Sequence, residues 1–390
     1  MSHGNDGIAA ALGILHGRLR KVGYNADALR SLLRVTYPDD IGVLNHAPAV
    51  ERLAHDDSAL ATAVRLLFLE GDVPSRAVAA VFSRGEMGAL VDGGMLRRRA
   101  GRLAARLRLD PVGDQYLLAD RRLRDWDRGA FGLGGRDRVY PPGSDSLMLR
   151  DAVSAPGGGR VLDLCTGSGI QALQRACTAD RVVAVDLNPR AVAMTRMNAQ
   201  LNGVGNAEVH RGDLYAPVHG EVFDLIIANP PFVASPYERG PAYHAGGPTG
   251  DRVLRRILTG FEKHLAPCGR GFAISHVALR PGEDVARRAA MWFQHFSGRA
   301  LVLVLETGTA VDLAAAQAVF ALERGLTAYA REVQRWVAYL RRHRILTVAL
   351  LLIVAERGGR RGVEVVEAQP RVLPIPLSPP PPERIRAWLA

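Results

Sequence analysis

The stretch from Val161 to Phe232 limits what this chain can fold into more than any other. It opens with the apolar run Val161-Leu162-Asp163-Leu164 and passes into Cys165-Thr166-Gly167-Ser168-Gly169. An apolar run that stops at closely spaced glycines reads as a buried strand, a tight turn and the start of a helix. Glycine lets the backbone approach a ligand, and a helix start offers unpaired N–H groups. A second run, Val182-Val183-Ala184-Val185, ends in Asp186, and a third strand candidate is followed by Gly212-Asp213-Leu214. A fourth, Phe223 to Ala228, ends in Asn229-Pro230-Pro231-Phe232. Strands alternating with helices predict an α/β protein with a doubly wound sheet, whose ligands gather at the carboxyl ends of the strands.

The four polar marks specify a ligand. Gly-Ser-Gly-Ile-Gln-Ala alone also fits a dinucleotide fingerprint. Asp163, shortly before Gly167, shifts that reading, because a carboxylate there suits a cationic ligand and would repel a pyrophosphate. Asp186, with Leu187 after it, stands where a carboxylate can accept both hydroxyls of a ribose. Asp213, with Leu214, is placed to accept from an exocyclic amine such as that of adenine. An amino acid tail, a ribose and an adenine together describe S-adenosylmethionine (SAM). Each aspartate singly is also explained as a strand-end residue capping a helix, but the ordered set is not.

These residues resemble the SAM-dependent methyltransferases of the seven-stranded, doubly wound, Rossmann-like fold. Asn229-Pro230-Pro231-Phe232 is similar to the Asn-Pro-Pro-Tyr/Phe motif of enzymes that methylate planar nitrogens: HemK-like release-factor glutamine methyltransferases, adenine-N6 methyltransferases and rRNA guanine-N2 methyltransferases. Upstream, Tyr140-Pro141-Pro142-Gly143-Ser144-Asp145-Ser146 resembles the Tyr-x-Pro-x-x-Asp-Thr segment of HemK-like proteins. The resemblance covers residues 139 to 278. It implies SAM contacts from Ser146, Asp163, Cys165, Thr166, Gly167, Gly169, Asp186, Leu187, Asp213, Leu214 and Asn229. It also implies that the segment around Tyr140 and Pro142 lies over the cofactor, with those two residues as substrate contacts; serine stands at 146 where the family pattern has threonine.

The chemistry of the fourth mark also stands by itself. An amide or aromatic amine is a poor nucleophile because its lone pair is delocalised. The Asn229 side-chain oxygen and the Pro230 carbonyl can accept from its N–H groups and favour charge developing on the nitrogen. Neither proline donates a backbone N–H, so the turn presents acceptors. Phe232 offers a flat face for a planar substrate. Asn229, Pro230 and Phe232 are therefore the expected catalytic residues. No metal is required. In the loop that follows, Tyr237, Tyr243 and His244 are candidate substrate contacts.

Residues 7 to about 95 carry helical periodicity: Ile8, Leu12, Leu15 and Leu19 share one face, and Leu60, Val64, Leu67 and Leu69 another. Pro74 marks a helix start and Gly93-Gly94 a stop. Arg102 to Leu109 and Gln115 to Ala119 read as a hairpin, which together suggests a winged-helix-like unit. That unit fits nucleic-acid binding through Arg97, Arg98, Arg99, Arg102, Arg106 and Arg108, dimerisation over the active site, or recruitment of a substrate. A charge run is usually a solvated face, so nucleic acid is not favoured. The net charge of +11 rests almost wholly on arginine, Lys21 and Lys263 being the only lysines, which reads as a general composition bias.

Cys165, Cys177 and Cys268 give neither a disulfide framework nor metal-ligand spacing, and a reducing cytoplasm fits them. The N-terminus has no signal-peptide pattern, and the longest apolar run, Leu346 to Ala355, is too short for a transmembrane helix. A fifth strand at Gly271 to Val277, a sixth at Ala300 to Leu305, a long helical segment at Val311 to Arg344 and late strands at Thr347 to Glu356 and Val363 to Ala368 complete the sheet. The expected organisation is an N-terminal substrate or dimerisation domain over 1–125 and a catalytic domain over 126–390. The expected activity is SAM-dependent N-methylation of an amide or amine positioned by the Asn-Pro-Pro-Phe corner, on a protein glutamine, a small molecule or RNA, with a specialised-metabolite N- or O-methyltransferase or an rRNA base methyltransferase as alternatives, and a homodimer as a candidate assembly.

Overall fold

The computed structural model describes residues 3–35, 41, 43–121, 137–154, 157–237, 246–367 and 388. Backbone contacts divide the chain into two units, one comprising Met1–Gly132, Val139–Gly143 and Ala193–Gly205 and the other Leu133–Arg138, Ser144–Val192 and Asn206–Ala390.

The first unit begins with helices α1 (His3–Lys21), α2 (Ala26–Leu33), α3 (Val43–Arg52) and α4 (Ala59–Ala63), the last continuing as a π-helical turn through Val64–Phe68. The periodic positions Leu12, Leu15 and Leu19 are buried, as are Val64, Leu67 and Leu69. Strand β1 (Val73–Pro74) leads into α5 (Ser75–Val78), with Pro74 at its N-cap, where a missing N–H costs nothing. Helix α6 (Arg84–Asp92) starts at a capping box of Ser83 and Glu86 and stops at Gly93. Then come β2 (Leu96–Arg99) and β3 (Arg102–Ala105), a hairpin closed by Ala100-Gly101, both with positive φ. Such a two-residue turn matches the strand twist. The sheet order β1-β3-β2 leaves β2 on an edge.

A second hairpin, β4 (Arg108–Val112) and β5 (Gln115–Ala119), follows. The single hairpin expected from Arg102 is therefore two, because the chain bends at Arg106-Leu107 between the exposed and the buried pair. One expectation is corrected here. Arg108 is not part of a basic surface: it is 1% exposed, pairs with Asp110 at 2.8 Å and lies 4.0 Å over the Phe68 ring. Along β5, Asn198 bonds both the N–H and the carbonyl of Leu118, and Asn202 does the same at Tyr116, at 2.7–2.9 Å. A side-chain amide carries one donor end and one acceptor end, so two of them four residues apart on a helix stand in for a neighbouring strand.

The second unit is an eight-stranded sheet with helices packed on it. Its elements are α7 (Ser144–Ala152), β6 (Arg160–Leu164), α8 (Ile170–Ala176), β7 (Arg181–Asp186), α9 (Pro189–Leu201, which belongs to the first unit from Ala193), β8 (Ala207–Arg211), β9 (Phe223–Ala228), α10 (Arg252–His264), β10 (Leu265–Leu279), α11 (Val285–Trp292), β11 (Gly298–Thr309), α12 (Ala310–Ala318), α13 (Leu326–Arg342), β12 (Thr347–Arg357) and β13 (Gly362–Glu367). The strand order is β13-β11-β12-β10-β9-β6-β7-β8. The strands from β6 to β10 run parallel, β12 is antiparallel to both neighbours, and β13 adds an eighth strand parallel to β11 at the edge.

Val348 to Ala355 in β12 are all buried, which explains the longest apolar run: it is a central strand covered on both faces. No helix of the described residues is long and apolar enough to cross a membrane. Leu254, Ile257, Leu258 and Phe261 of α10 pack with Phe223, Ile226, Ala273, Val302 and Ile353 in the main core. The expected long helix between β11 and β12 is broken at Gly325, whose φ of 93° no helix accommodates, into α12, a 3₁₀ segment over Val319–Arg324 and α13.

Candidate active site

The carboxyl ends of β9, β6, β7 and β8 lie side by side, in register from Ala228 beside Leu164 to Asp186 beside Arg211. Asp163, next to last in β6, is 1% exposed. Its Oδ2 accepts from Thr166 Oγ1 at 2.6 Å and from the Ala172 N–H at 3.1 Å, whereas Oδ1 is buried with no hydrogen-bond partner among the described residues. Burial raises its pKa to about 7, since a low dielectric disfavours the charged carboxylate. Cys165, Gly167 and Gly169 all take positive φ, which curls the chain back at the strand tip. The Cys165 thiol has its pKa raised by burial, which keeps it protonated.

At the tip of β7, Asp186 accepts from the Gly167 N–H through Oδ2 and from the Asn188 N–H through Oδ1, each at 2.9 Å. Burial raises its pKa, opposed by those backbone hydrogen bonds. Leu187, beside it, is 62% exposed, an apolar side chain held open at a strand tip. Leu214 is buried with φ of 52°. Asp213 departs from expectation. Both its oxygens accept from Arg256, at 3.0 and 2.8 Å, so its carboxylate has a protein partner that the sequence did not indicate, with the side chain still half exposed.

Asn229 directly follows β9. Its Nδ2 donates to Asp145 Oδ2 at 2.8 Å and to Ser146 Oγ at 3.1 Å, both at the start of α7. Gln171 Nε2 donates to the Ser146 carbonyl at 2.8 Å and ties α7 to α8. An ionised carboxylate only accepts, so the amide nitrogen must face Asp145. The Asn229 side-chain oxygen then points away from it and accepts no hydrogen bond among the described residues. Ser146, expected as a cofactor contact, here fixes the Asn229 amide.

Phe232 packs its ring against His276 of β10, centroids 4.8 Å apart. Burial lowers the His276 pKa to about 4, so the imidazole is neutral near pH 7. Behind Phe232 the chain returns so closely that a Cβ at Gly250 would lie 2.3 Å from the Phe232 carbonyl oxygen, and one at Gly246 would lie 2.7 Å from its carbonyl carbon. Only glycine fits there. Tyr237 is anchored by its hydroxyl, which donates to Glu332 of α13 and accepts from Arg335 at 2.8 Å. Trp336 Nε1 donates to the same Glu332 oxygen at 3.1 Å, and Glu332 is 4% exposed. Burial and then the Glu332 hydrogen bond raise the Tyr237 pKa to about 12.

Tyr243 and His244 lie outside the described residues. Tyr140 and Pro142 belong to the first unit, where Pro142 is buried and Tyr140 half-buried. No cluster of three His, Cys, Asp or Glu side chains that could hold a metal ion occurs among the described residues. Sequence reasoning missed the roles of Asp145, His276 and Glu332. Asp145 was within reach, since the Tyr-x-Pro-x-x-Asp segment contains it. His276 and Glu332 carry no signal in the sequence.

Strand order, glycine turn, strand-tip carboxylates and the Asn-Pro-Pro-Phe corner together define a Rossmann-like methyltransferase. Comparison with known proteins narrows the class. Residues 138–281 match the family described as methyltransferase small domain, and residues 21–106 match a domain family of unknown function, DUF7059. The chain is 33% identical over 139 residues to a candidate protein N5-glutamine methyltransferase of Methanocaldococcus jannaschii, covering 34% of this chain and 68% of that protein. It is 42% identical over 125 residues to a ribosomal protein uL3 glutamine methyltransferase of Bradyrhizobium diazoefficiens, covering 28% of this chain and 38% of that protein. It is 30% identical over 163 residues to a release factor glutamine methyltransferase of Thermodesulfovibrio yellowstonii, covering 36% of this chain and 58% of that protein. The chain belongs to the class I SAM-dependent methyltransferases. It spans about two fifths and three fifths of the length of the latter two relatives.

Proposed function

We propose that this protein methylates the side-chain amide nitrogen of a glutamine in a protein of the translation machinery, with SAM as the methyl donor. The observation that carries this reading is the orientation of Asn229. Asp145 and Ser146 hold its nitrogen, which leaves the side-chain oxygen, with the Pro230 carbonyl beside it in the chain, as an acceptor for a substrate N–H. The names of the relatives support a protein glutamine as acceptor. Transfer to a small metabolite or to an rRNA base is not favoured.

The residues at the strand tips fit SAM. The buried Oδ1 of Asp163 lacks a partner and suits an ammonium group. Asp186 suits a pair of ribose hydroxyls, and the exposed Leu187 suits the face of an adenine. The turn at Thr166, Gly167 and Gly169 leaves room for the ligand backbone. When bound, SAM supplies a methyl group on a positively charged sulfur. The protein's part is to orient the acceptor amide, hold its N–H groups at Asn229 and Pro230, and stack its plane on Phe232. The partial negative charge on those two oxygens polarises the acceptor's N–H bonds and leaves the nitrogen more electron-rich as it attacks. The released proton passes to solvent. The whole of 126–390 would form the catalytic domain and 1–125 a substrate domain, acting in the cytoplasm where translation proceeds.

Incubation of the purified chain with methyl-labelled SAM and a ribosome-containing extract tests the reading. Label is expected in the protein fraction and, after enzymatic digestion, in N5-methylglutamine. Label confined to RNA or to small molecules overturns the assignment of the acceptor.

A further inference from the structure

We infer that the β2–β3 hairpin of the first unit is a docking surface for the phosphate backbone of RNA. Arginine abounds throughout the chain, so an arginine-rich segment means little until its neighbours are known. In the second unit arginines lie against carboxylates. Arg160 and Arg181 share Glu221, Arg270 and Arg299 share Glu356, and Arg256, Arg288 and Arg335 pair with Asp213, Glu283 and Glu332. The charge is neutralised locally at those seven, though not at the exposed Arg341, Arg342 and Arg344 by the end of α13.

On the hairpin it is not. Arg97, Arg98, Arg99, Arg102 and Arg106 are all exposed, and the segment from Arg97 to Arg106 contains no acidic residue. Arg97 comes no nearer than 4.0 Å to Asp72, and Arg102 donates only to the Asp72 carbonyl. The side chains of Arg98, Arg99 and Arg106 make no hydrogen bond or ion pair among the described residues. The Ser75 N–H donates to the Gly101 carbonyl at 2.9 Å, which brings the start of α5, with the exposed Arg76, against the hairpin turn.

A ribbon of exposed guanidinium groups, three of them unpaired among the described residues, is matched to phosphate, which each can grip with two parallel N–H donors. Every exposed large hydrophobic residue among the described ones lies in the second unit, so the hairpin has no apolar anchor for a bilayer or for a protein hot spot. Arginines on an edge strand also discourage strand-to-strand association, a role that needs no ligand. That role would be served by one or two charges and does not account for Arg106, beyond β3. The choice of RNA over DNA rests on the proposed acceptor being a protein of the translation machinery, which is surrounded by RNA.

The test uses the full chain and a short fluorescent RNA hairpin, with anisotropy read against potassium chloride. Contacts to about four phosphates predict a log–log salt slope of about −3. The triple variant Arg98→Ser, Arg99→Ser, Arg106→Ser is expected to lose about tenfold or more in affinity and to flatten the slope by about 2. The corresponding triple lysine variant keeps most of the binding, and Arg181→Ser, which breaks a paired arginine, changes nothing. If the serine triple fails to fold by thermal melting, Arg98→Glu alone carries the test, with a loss of about threefold or more expected. The inference is overturned by absent RNA binding at about 50 mM salt, by wild-type binding in the variants, or by tighter binding to a DNA duplex or to anionic vesicles. Binding is read without methyl transfer, so failure of the acceptor assignment leaves this result standing.

Discussion

Two neighbouring parts of the second unit hold their polar groups by opposite means. At the donor end, Thr166 bonds Asp163 three residues away, Asn188 bonds Asp186 two away, and Gly167 bonds Asp186 nineteen away. At the acceptor end, Asn229 is held by Asp145 from 84 positions off, and Tyr237 by Glu332 from 95. The donor end is thus built from its own turns and is the same wherever those turns are kept. The acceptor end is assembled from α7, β10 and an inserted helix, elements far apart in the chain. A family with one methyl donor and many acceptors is served by that division.

Asn229→Ala is the strongest way to break the comparison. It removes the acceptor oxygen from the acceptor end and nothing from the turns at the donor end. Turnover should fall by about 10²–10³-fold, the cost typical of losing a preorganised polar group at the reacting centre, while SAM affinity measured calorimetrically stays within about threefold. Loss of SAM binding in this variant would show that the two ends are not separable. Asp186→Ala probes the other end. Removing a carboxylate that accepts charge-assisted hydrogen bonds costs about 1.5–3 kcal/mol, or roughly 10–100-fold in SAM affinity. Turnover at saturating SAM should hold up far better than in Asn229→Ala.

Acidity sharpens the contrast further. Asp163 titrates near 7 in the folded chain, against about 4 when unfolded. Between those values the folded state keeps a proton that the unfolded state has released, so the contribution of Asp163 to stability falls as pH rises through the window and levels off above about 7. An ammonium ligand needs the carboxylate, so SAM affinity should run the other way, weakening about tenfold per unit as pH drops below 7. Calorimetry at pH 6 in two buffers of different ionisation enthalpy should reveal about one proton released per SAM bound. Proton uptake, or none, would remove Asp163 from the cofactor site.

The same division explains what could be read from the sequence. Val161 to Gly169 and Val182 to Asp186 are legible because strand, turn and carboxylate follow one another in the chain, and Asp145 and Asn229 because their short motifs are distinctive. Glu332 is one glutamate in an arginine-rich helix, and only its burial beneath Tyr237 and Trp336 marks it. His276 is an ordinary strand residue until β9 and β10 are paired and Phe232 folds over it. Arg108 looked like its exposed neighbours because the sequence does not say that β4, unlike β2, is buried along its length with Asp110 beside Arg108. The eighth strand was legible as the run from Val363, set off from β12 by Gly358 and Gly359, both at positive φ, although a seven-stranded sheet does not call for it.

Tyr237→Phe should give the smallest effect and tests the inserted helix alone. The change removes one hydroxyl and leaves the ring packed at 6.2 Å from Trp336, so the fold should lose only about 1 kcal/mol. Glu332 keeps Arg335 at 3.3 Å and Trp336 at 3.1 Å, so its buried charge is not orphaned. What is lost is the tether five residues beyond Phe232, through which α13 sets the far side of the acceptor corner. The expected result is a two- to fivefold rise in KM for the acceptor with little change in kcat, as about 0.5–1 kcal/mol of uniform binding is removed. SAM affinity should be untouched, because none of these contacts reaches the strand tips. Glu332→Gln should leave KM near wild type, since an amide oxygen still accepts from Tyr237 and Trp336 and only the pair with Arg335 is lost. A fall in kcat with unchanged KM would mean instead that α13 acts on the reacting atoms through Phe232, and the inserted helix would then belong to catalysis and not to acceptor choice.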